Sequence, residues 1–212
     1  MKYVLTAQLT LCLFVVSCST TVTPGSADNT AGNKNVAKKT STNSTTVRTT
    51  GIRTMQKYFR PAGEVSGTVR IVIDKSDFQL RVYDSKGILA TYPVVFGLKP
   101  LEDKMMQGDR RTPEGTFKVV YNQQHKLWRK MLMLDYPTKE SAAKFNNRKS
   151  NGLIPASARI GNGIGIHGVE PGNDYFIDRF YNWTNGCISL KNPHMDDLAR
   201  YVKPGTVVVI QK

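Results

Sequence analysis

Beyond Gly67 the apolar residues recur at every second position between clusters of turn formers, a pattern that suits strands covered on one face. Val69-Arg70-Ile71-Val72-Ile73 is the first such run. Residues 78–83, with Phe78, Leu80 and Val82 on one face, form the second, and residues 92–96 the third. Ser85-Lys86-Gly87 provides the turn between the second and third. Thr112-Pro113-Glu114-Gly115 carries Pro at i+1 and Gly at i+3 of a type I turn and launches a strand over residues 116–121. Residues 131–136 read as a further strand. Two helices are expected, a polar one over 139–147 and one capped by Asn192 with Pro193 in its first position and Asp196 and Asp197 near its start. Met195, Leu198 and Val202 would face the core. Lys203-Pro204-Gly205 stops that helix, and residues 206–210 make a last strand. The expectation is one mainly β domain over residues 67–212 with a few short helices.

The other end of the chain is built differently. Met1-Lys2 precedes an uncharged, mostly apolar run over residues 3–16, too short for a transmembrane span and of the size of a signal-peptide core. The run ends in Val15-Val16-Ser17-Cys18, which resembles a bacterial lipobox. Residues 1–17 are then a signal peptide, and Cys18 the new N-terminus carrying lipid. Ser19 is not the aspartate that tends to retain lipoproteins at an inner membrane, so the expected place is the periplasmic face of an outer membrane. Residues 18–66 are rich in Ser, Thr, Asn and Lys, as in Lys38-Lys39-Thr40-Ser41-Thr42-Asn43, and read as a disordered tether. A flexible coil of that length spans on the order of 40 Å and stretches to roughly 160 Å, enough to carry a membrane-anchored domain to a wall layer. Met55, Tyr58 and Phe59 share the spacing of a short helix that would dock on the domain.

The formal charge is +14 over 212 residues, with Lys and Arg in excess in both parts. A basic surface suits nucleic acid, an anionic membrane or carboxylate-rich peptidoglycan. Basic residues are not interleaved with aromatics on one stripe and the chain carries an export signal, so nucleic acid is not an expected partner. Of three cysteines, Cys12 leaves with the signal and Cys18 is lipidated, so the domain keeps Cys187 alone and no disulfide framework. An unpaired thiol in an oxidising space is a liability that a catalytic role would explain.

The chemistry gathers in two short stretches, Ile164-Gly165-Ile166-His167-Gly168 and Trp183-Thr184-Asn185-Gly186-Cys187-Ile188-Ser189-Leu190. A thiol attacks a carbonyl as thiolate, and a neighbouring imidazole takes its proton and stabilises the anion as an ion pair that depresses the thiol pKa. Gly186 lets the backbone come close, so the N–H groups of Asn185, Gly186 and Cys187 are candidates for an oxyanion hole.

These residues resemble a known family. His167-Gly168, fifteen residues, then Thr184-Asn185-Gly186-Cys187-Ile188 is similar to the signature of the L,D-transpeptidase catalytic domain, also called the YkuD domain. Gln107-Gly108-Asp109-Arg110-Arg111-Thr112-Pro113-Glu114-Gly115 resembles a turn of the same family, in wording closest to its YafK-like branch. The resemblance implies a β-sandwich whose cysteine accepts the acyl group of a peptidoglycan stem peptide at a meso-diaminopimelate residue. A second amine then takes that group, giving a 3-3 crosslink or tethering a protein such as a lipoprotein; where water takes it, the enzyme is a hydrolase. By the same resemblance Cys187 is the nucleophile and His167 the base, with the Gly168 carbonyl orienting the imidazole. Thr184, Asn185, Gly186 and Ser189 are assigned to the oxyanion and substrate side. Two positions depart from the pattern: Asn185 stands where the family often has His, and Ser189 where it commonly has Arg, whose guanidinium suits a substrate carboxylate. Lys191, Arg110 or Arg111 are the candidates to supply that charge.

Three functions fit: transfer, hydrolysis on the same scaffold, and wall binding without catalysis. The intact His167 and Cys187 speak against the third. His125, His167 and His194 lack metal-ligand spacing, so neither metal nor cofactor is expected. His194, at a helix start, is expected to be exposed, and Trp128 and Trp183 to line a groove or fill the core.

Overall fold

The structure, a computed structural model, describes residues 59–212. The expected signal peptide, Cys18 and most of the expected tether, with Met55 and Tyr58, lie outside the described residues. The elements run β1 Arg70–Asp74, β2 Gln79–Asp84, β3 Gly87–Pro93, β4 Gly115–His125, β5 Arg129–Leu134, α1 Lys139–Ser150, β6 Gly165–His167, α2 Tyr175–Asp178, β7 Ile188–Ser189, α3 Asn192–Ala199 and β8 Val207–Gln211. The strands form one curled sheet in the order β3-β2-β1-β8-β4-β5-β6-β7.

Local alternation explains most of these strands. In β1, Ile71 and Ile73 are fully buried; in β4, Phe117 and Val119 point inward while Thr116 and Lys118 are exposed. β1 pairs antiparallel with β2 and parallel with β8, and β8 pairs antiparallel with the start of β4. A bulge between Val119 and Tyr121 lets the rest of β4 turn away and pair with β5. β5 then carries β6, and β6 carries β7 in parallel. The curl brings the far edge round: Val95, just past β3, exchanges two 2.9 Å backbone hydrogen bonds with Ser189 of β7. Met195 and Leu198 of α3 lie fully buried in the core, and α3 packs against β5.

Several boundaries differ from expectation. The third strand is β3, beginning in the turn at Gly87, while Val94, Val95 and Phe96 follow it as a run buried at every position. Consecutive burial has no period, so the sequence alone does not separate this bridging segment from the strand. β4 runs four residues past Tyr121, to His125. α2, β6 and β7 have no counterpart in the expectation. The α3 cap is Lys191 rather than Asn192, whose side-chain oxygen instead accepts from the Val169 N–H at 3.1 Å. α1 buries only Phe145, as its polar sequence suggests, and the Thr138 hydroxyl caps it through Ser141. Residues 59–66 lie against the domain: Arg60 pairs with Thr91, the Ala62 N–H donates to Asp197 at 3.0 Å, and Phe59 stacks on His194 at 4.1 Å. His194 is therefore buried, not exposed, and burial pushes its pKa down to about 4.

Candidate active site

The parallel pairing of β6 with β7 creates the site. Ile166 sits opposite Ile188 and His167 opposite Ser189. Side chains alternate along a strand, so Cys187, one residue before β7, lies on the same face as His167 and one diagonal away. Both line a cavity of about 390 Å³ together with Tyr121, His125, Trp128, Met131, Met133 and Trp183.

His167 is almost fully buried, and its Nδ1 lies 2.7 Å from the Gly168 carbonyl oxygen. A carbonyl only accepts, so Nδ1 carries the proton and Nε2 keeps a free lone pair. The Ser189 hydroxyl donates to the same carbonyl at 3.2 Å. Burial lowers the His167 pKa to about 4, against the opposing Gly168 hydrogen bond. Burial also pushes the Cys187 thiol up, with a backbone hydrogen bond and Lys104 acting the other way. Desolvation therefore works against both halves of the expected imidazolium–thiolate pair, and the S–H donates to the Gly163 carbonyl at 3.4 Å.

The loop that carries Cys187 is held by Thr184. Thr184 donates to the Cys187 carbonyl at 2.7 Å and accepts from the Gly186 N–H at 3.2 Å. Among the described residues the N–H groups of Asn185 and Cys187 donate to no partner, so these two, and not Gly186, remain for an oxyanion. Gly186 has φ of 135°, and a Cβ there would stand 2.7 Å from the Arg111 carbonyl oxygen. Its glycine is required by packing against the Arg111 backbone.

The remaining candidates separate. Thr184 and Ser189 are buried, and their hydroxyls donate to the Cys187 and Gly168 carbonyls; Thr184 also lines the cavity, and Ser189 does not. Asn185 is exposed at the cavity. Arg110 is exposed and Arg111 pairs with Glu102 at 2.5 Å; neither lines the cavity. Lys191 is paired with Asp178. Around the 102–114 turn two buried lysines, which sequence reasoning did not single out, hold the backbone. Lys75 Nζ, fully buried, donates to the carbonyls of Glu102 and Thr112 and to Glu114 at 2.8 Å. Lys104 pairs with Asp109 at 2.8 Å, and Asp109 also accepts from the N–H groups of Met105, Met106 and Arg111. Burial works against the Asp109 carboxylate, but Lys104 and these N–H groups outweigh it and hold its pKa below the ordinary value. Among the described residues no three His, Cys, Asp or Glu side chains group as a metal site.

Comparison with known proteins places this geometry. The fold is similar to the helical cell shape determining protein Pgp2 from Campylobacter jejuni, at 22% identity and a TM-score of 0.50, covering 72% of this chain and 50% of that one. Lesser likenesses are to the L,D-transpeptidase from Xylanimonas cellulosilytica (16% identity, 72% and 64% covered, TM-score 0.45) and to L,D-transpeptidase 3 from Mycobacterium tuberculosis in complex with a faropenem-derived adduct (13%, 68% and 60%, 0.46). The chain spans about half the length of the Campylobacter protein. No curated protein sequence matches it. The model of the YkuD L,D-transpeptidase catalytic domain matches residues 68–210, a span that holds both the His167 and the Cys187 motifs. The chain belongs to the YkuD family of L,D-transpeptidase catalytic domains, a peptidoglycan-modifying family.

Proposed function

We propose that the chain is a cysteine L,D-transpeptidase that acts on diaminopimelate-containing stem peptides through a Cys187 thioester. The observation that supports this most is the shared cavity of Cys187 and His167, with the imidazole held by Gly168 so that Nε2 is free to act as a base. On arrival of substrate, Nε2 takes the thiol proton and the sulfur attacks the carbonyl carbon of the diaminopimelate residue. The N–H groups of Asn185 and Cys187 receive the oxyanion. His167 then returns the proton to the departing amine, leaving an acyl thioester. An incoming amine loses a proton to His167, attacks the thioester and frees the thiol.

Hydrolysis on the same scaffold is the second reading, and one feature favours it. Among the described residues no Lys or Arg lines the cavity, and Lys104, which acts on the thiol from outside it, is paired with Asp109, so a carboxylate-bearing acceptor meets no unpaired cation in the cavity. Incubation with defined muropeptides and mass spectrometry of the products decides: new dimers are expected, shortened pieces mean hydrolysis, and an unchanged mixture sinks both. The proposal includes a lipid anchor at Cys18 facing the periplasm from the outer membrane. Cys18→Ser is then expected to move the protein out of the membrane fraction, or to block its processing, and unchanged detergent partitioning would refute the anchor.

A further inference from the structure

The catalytic imidazole is one layer of a stack. Trp128 lies against His167 with ring centroids 4.4 Å apart and planes 24° apart, and His125 lies on Trp128 at 4.5 Å and 5°. Trp183 meets the His167 edge at 5.5 Å and 77°. All four rings line the cavity that holds Cys187. Trp128 and His125 occupy the tip of the β4–β5 hairpin, which nothing in the catalytic motifs accounts for.

We propose that Trp128 is a positioning residue for the catalytic base: its indole face holds the His167 ring and stabilises the imidazolium that exists only while the thiolate is formed. The inference deepens the reading of Cys187 and His167 as a dyad and rests on it.

Two restraints support it. Trp128 holds His167 by side chain and by backbone together, because its carbonyl accepts from the Gly168 N–H at 3.0 Å and the Gly168 carbonyl accepts from His167 Nδ1. That backbone contact is too tight for a side chain at Gly168, where a Cβ would stand 2.8 Å from the Trp128 carbonyl oxygen. The hairpin tip is itself fixed: His125 Nδ1 accepts from the N–H groups of Leu127 and Trp128, each at 3.2 Å, so its ring is a set floor beneath the indole.

Charge logic gives the tryptophan its chemical role. His167 is buried, and burial disfavours its protonated form; the Coulombic action of His125 adds to that, and the Gly168 carbonyl is the only group opposing it. No acidic residue lines the cavity. A cation formed there has the negative face of the indole beside it at van der Waals distance, and that quadrupole is the compensation available. With the imidazole neutral the same contact is ordinary stacking, so the stabilisation appears only when the proton has moved. The step is balanced: the S–H bond breaks, the Nε2–H bond forms, and the new cation lies over Trp128.

The test is the pH dependence of Cys187 alkylation by iodoacetamide, which reads thiolate formation without any wall substrate. Trp128→Leu keeps bulk and removes the π face. It is expected to slow alkylation about tenfold at neutral pH and to move the midpoint of the pH–rate curve upward by about one unit. Trp128→Phe keeps a face and should stay within about threefold of the parent. Trp128→Met also removes the π face and should give a loss of the same direction and similar size; it supplies the answer should Trp128→Leu not fold. Equal losses in Trp128→Phe and Trp128→Leu, or an unmoved pH midpoint in Trp128→Leu and Trp128→Met, overturn the proposal. A protein whose alkylation follows Trp128 but which turns over no muropeptide leaves this inference standing and removes the substrate reading instead.

Discussion

The domain buries ionisable groups in two places and treats them in opposite ways. In the 102–114 turn Lys75 and Lys104 are taken out of water together with Glu114, Asp109 and a set of backbone carbonyls and N–H groups. At the β6–β7 edge His167 is buried in a cavity that, among the described residues, no acidic side chain lines, and burial raises the Cys187 thiol against the opposing action of Lys104. Burial with a partner keeps a charge and ties distant segments together; burial without one removes the charge and leaves a proton to be moved. The two regions touch, because the carbonyls of Arg110 and Arg111 back onto Gly97 and Gly186 behind the nucleophile. One holds the other still.

The largest expected effect separates the regions completely. Cys187→Ala and His167→Ala should each lower muropeptide turnover by at least about a thousandfold, with the double variant little worse than either, because residues that act as a unit do not add. Full activity in Cys187→Ala would end the mechanism. The mirror experiment is in the turn. Asp109→Asn leaves Lys104 buried without its carboxylate and is expected to cost about 3 kcal/mol or more in urea denaturation, which Cys187→Ala should not approach. Comparable stability in the two variants would erase the contrast.

A smaller effect is in the acid range. His167 and His194 both have native pKa values lowered to about 4, so between pH 6.5 and 4 the unfolded chain binds protons that the native one refuses. Stability therefore falls on acidification through that window, by up to about 1.4 kcal/mol per pH unit for each histidine. His194→Phe keeps the stacking on Phe59 and should roughly halve the slope contributed by the two histidines while leaving turnover unchanged; an unaltered slope would mean that His194 is not held neutral. The smallest effect belongs to Asn185. Its side chain is exposed, and the proposed oxyanion donor there is its backbone N–H, so Asn185→Ala should change turnover by no more than about threefold.

Much of the fold was legible wherever burial follows a short period. The Ile71/Ile73 and Phe117/Val119 alternations and the Met195/Leu198 face of the last helix are local statements, and the structure places them so, whereas the strand begins at Gly115 without the type I turn expected before it. The third strand was misplaced because residues 94–96 are buried at every position, a consequence of bridging to β7 rather than of pleating. His194 was read as exposed because its cover, Phe59 and Tyr92, comes from distant segments.

The candidate site divides in the same way. By itself the sequence singled out the residues expected to carry chemistry, since a thiol, an imidazole and their glycine neighbours in that order match the signature, but β6 and β7, the short strands beside them, are not among the strands its patterning predicts. The tertiary structure decided their state. Which backbone N–H groups are free, whether a hydroxyl faces ligand or carbonyl, and whether a buried charge has a partner depend on groups far apart in the chain, such as Lys75 and Glu114 at a separation of 39 residues. Side-chain type sets what a group can do in water, and its pKa in the fold follows from neighbours and desolvation that no local pattern encodes.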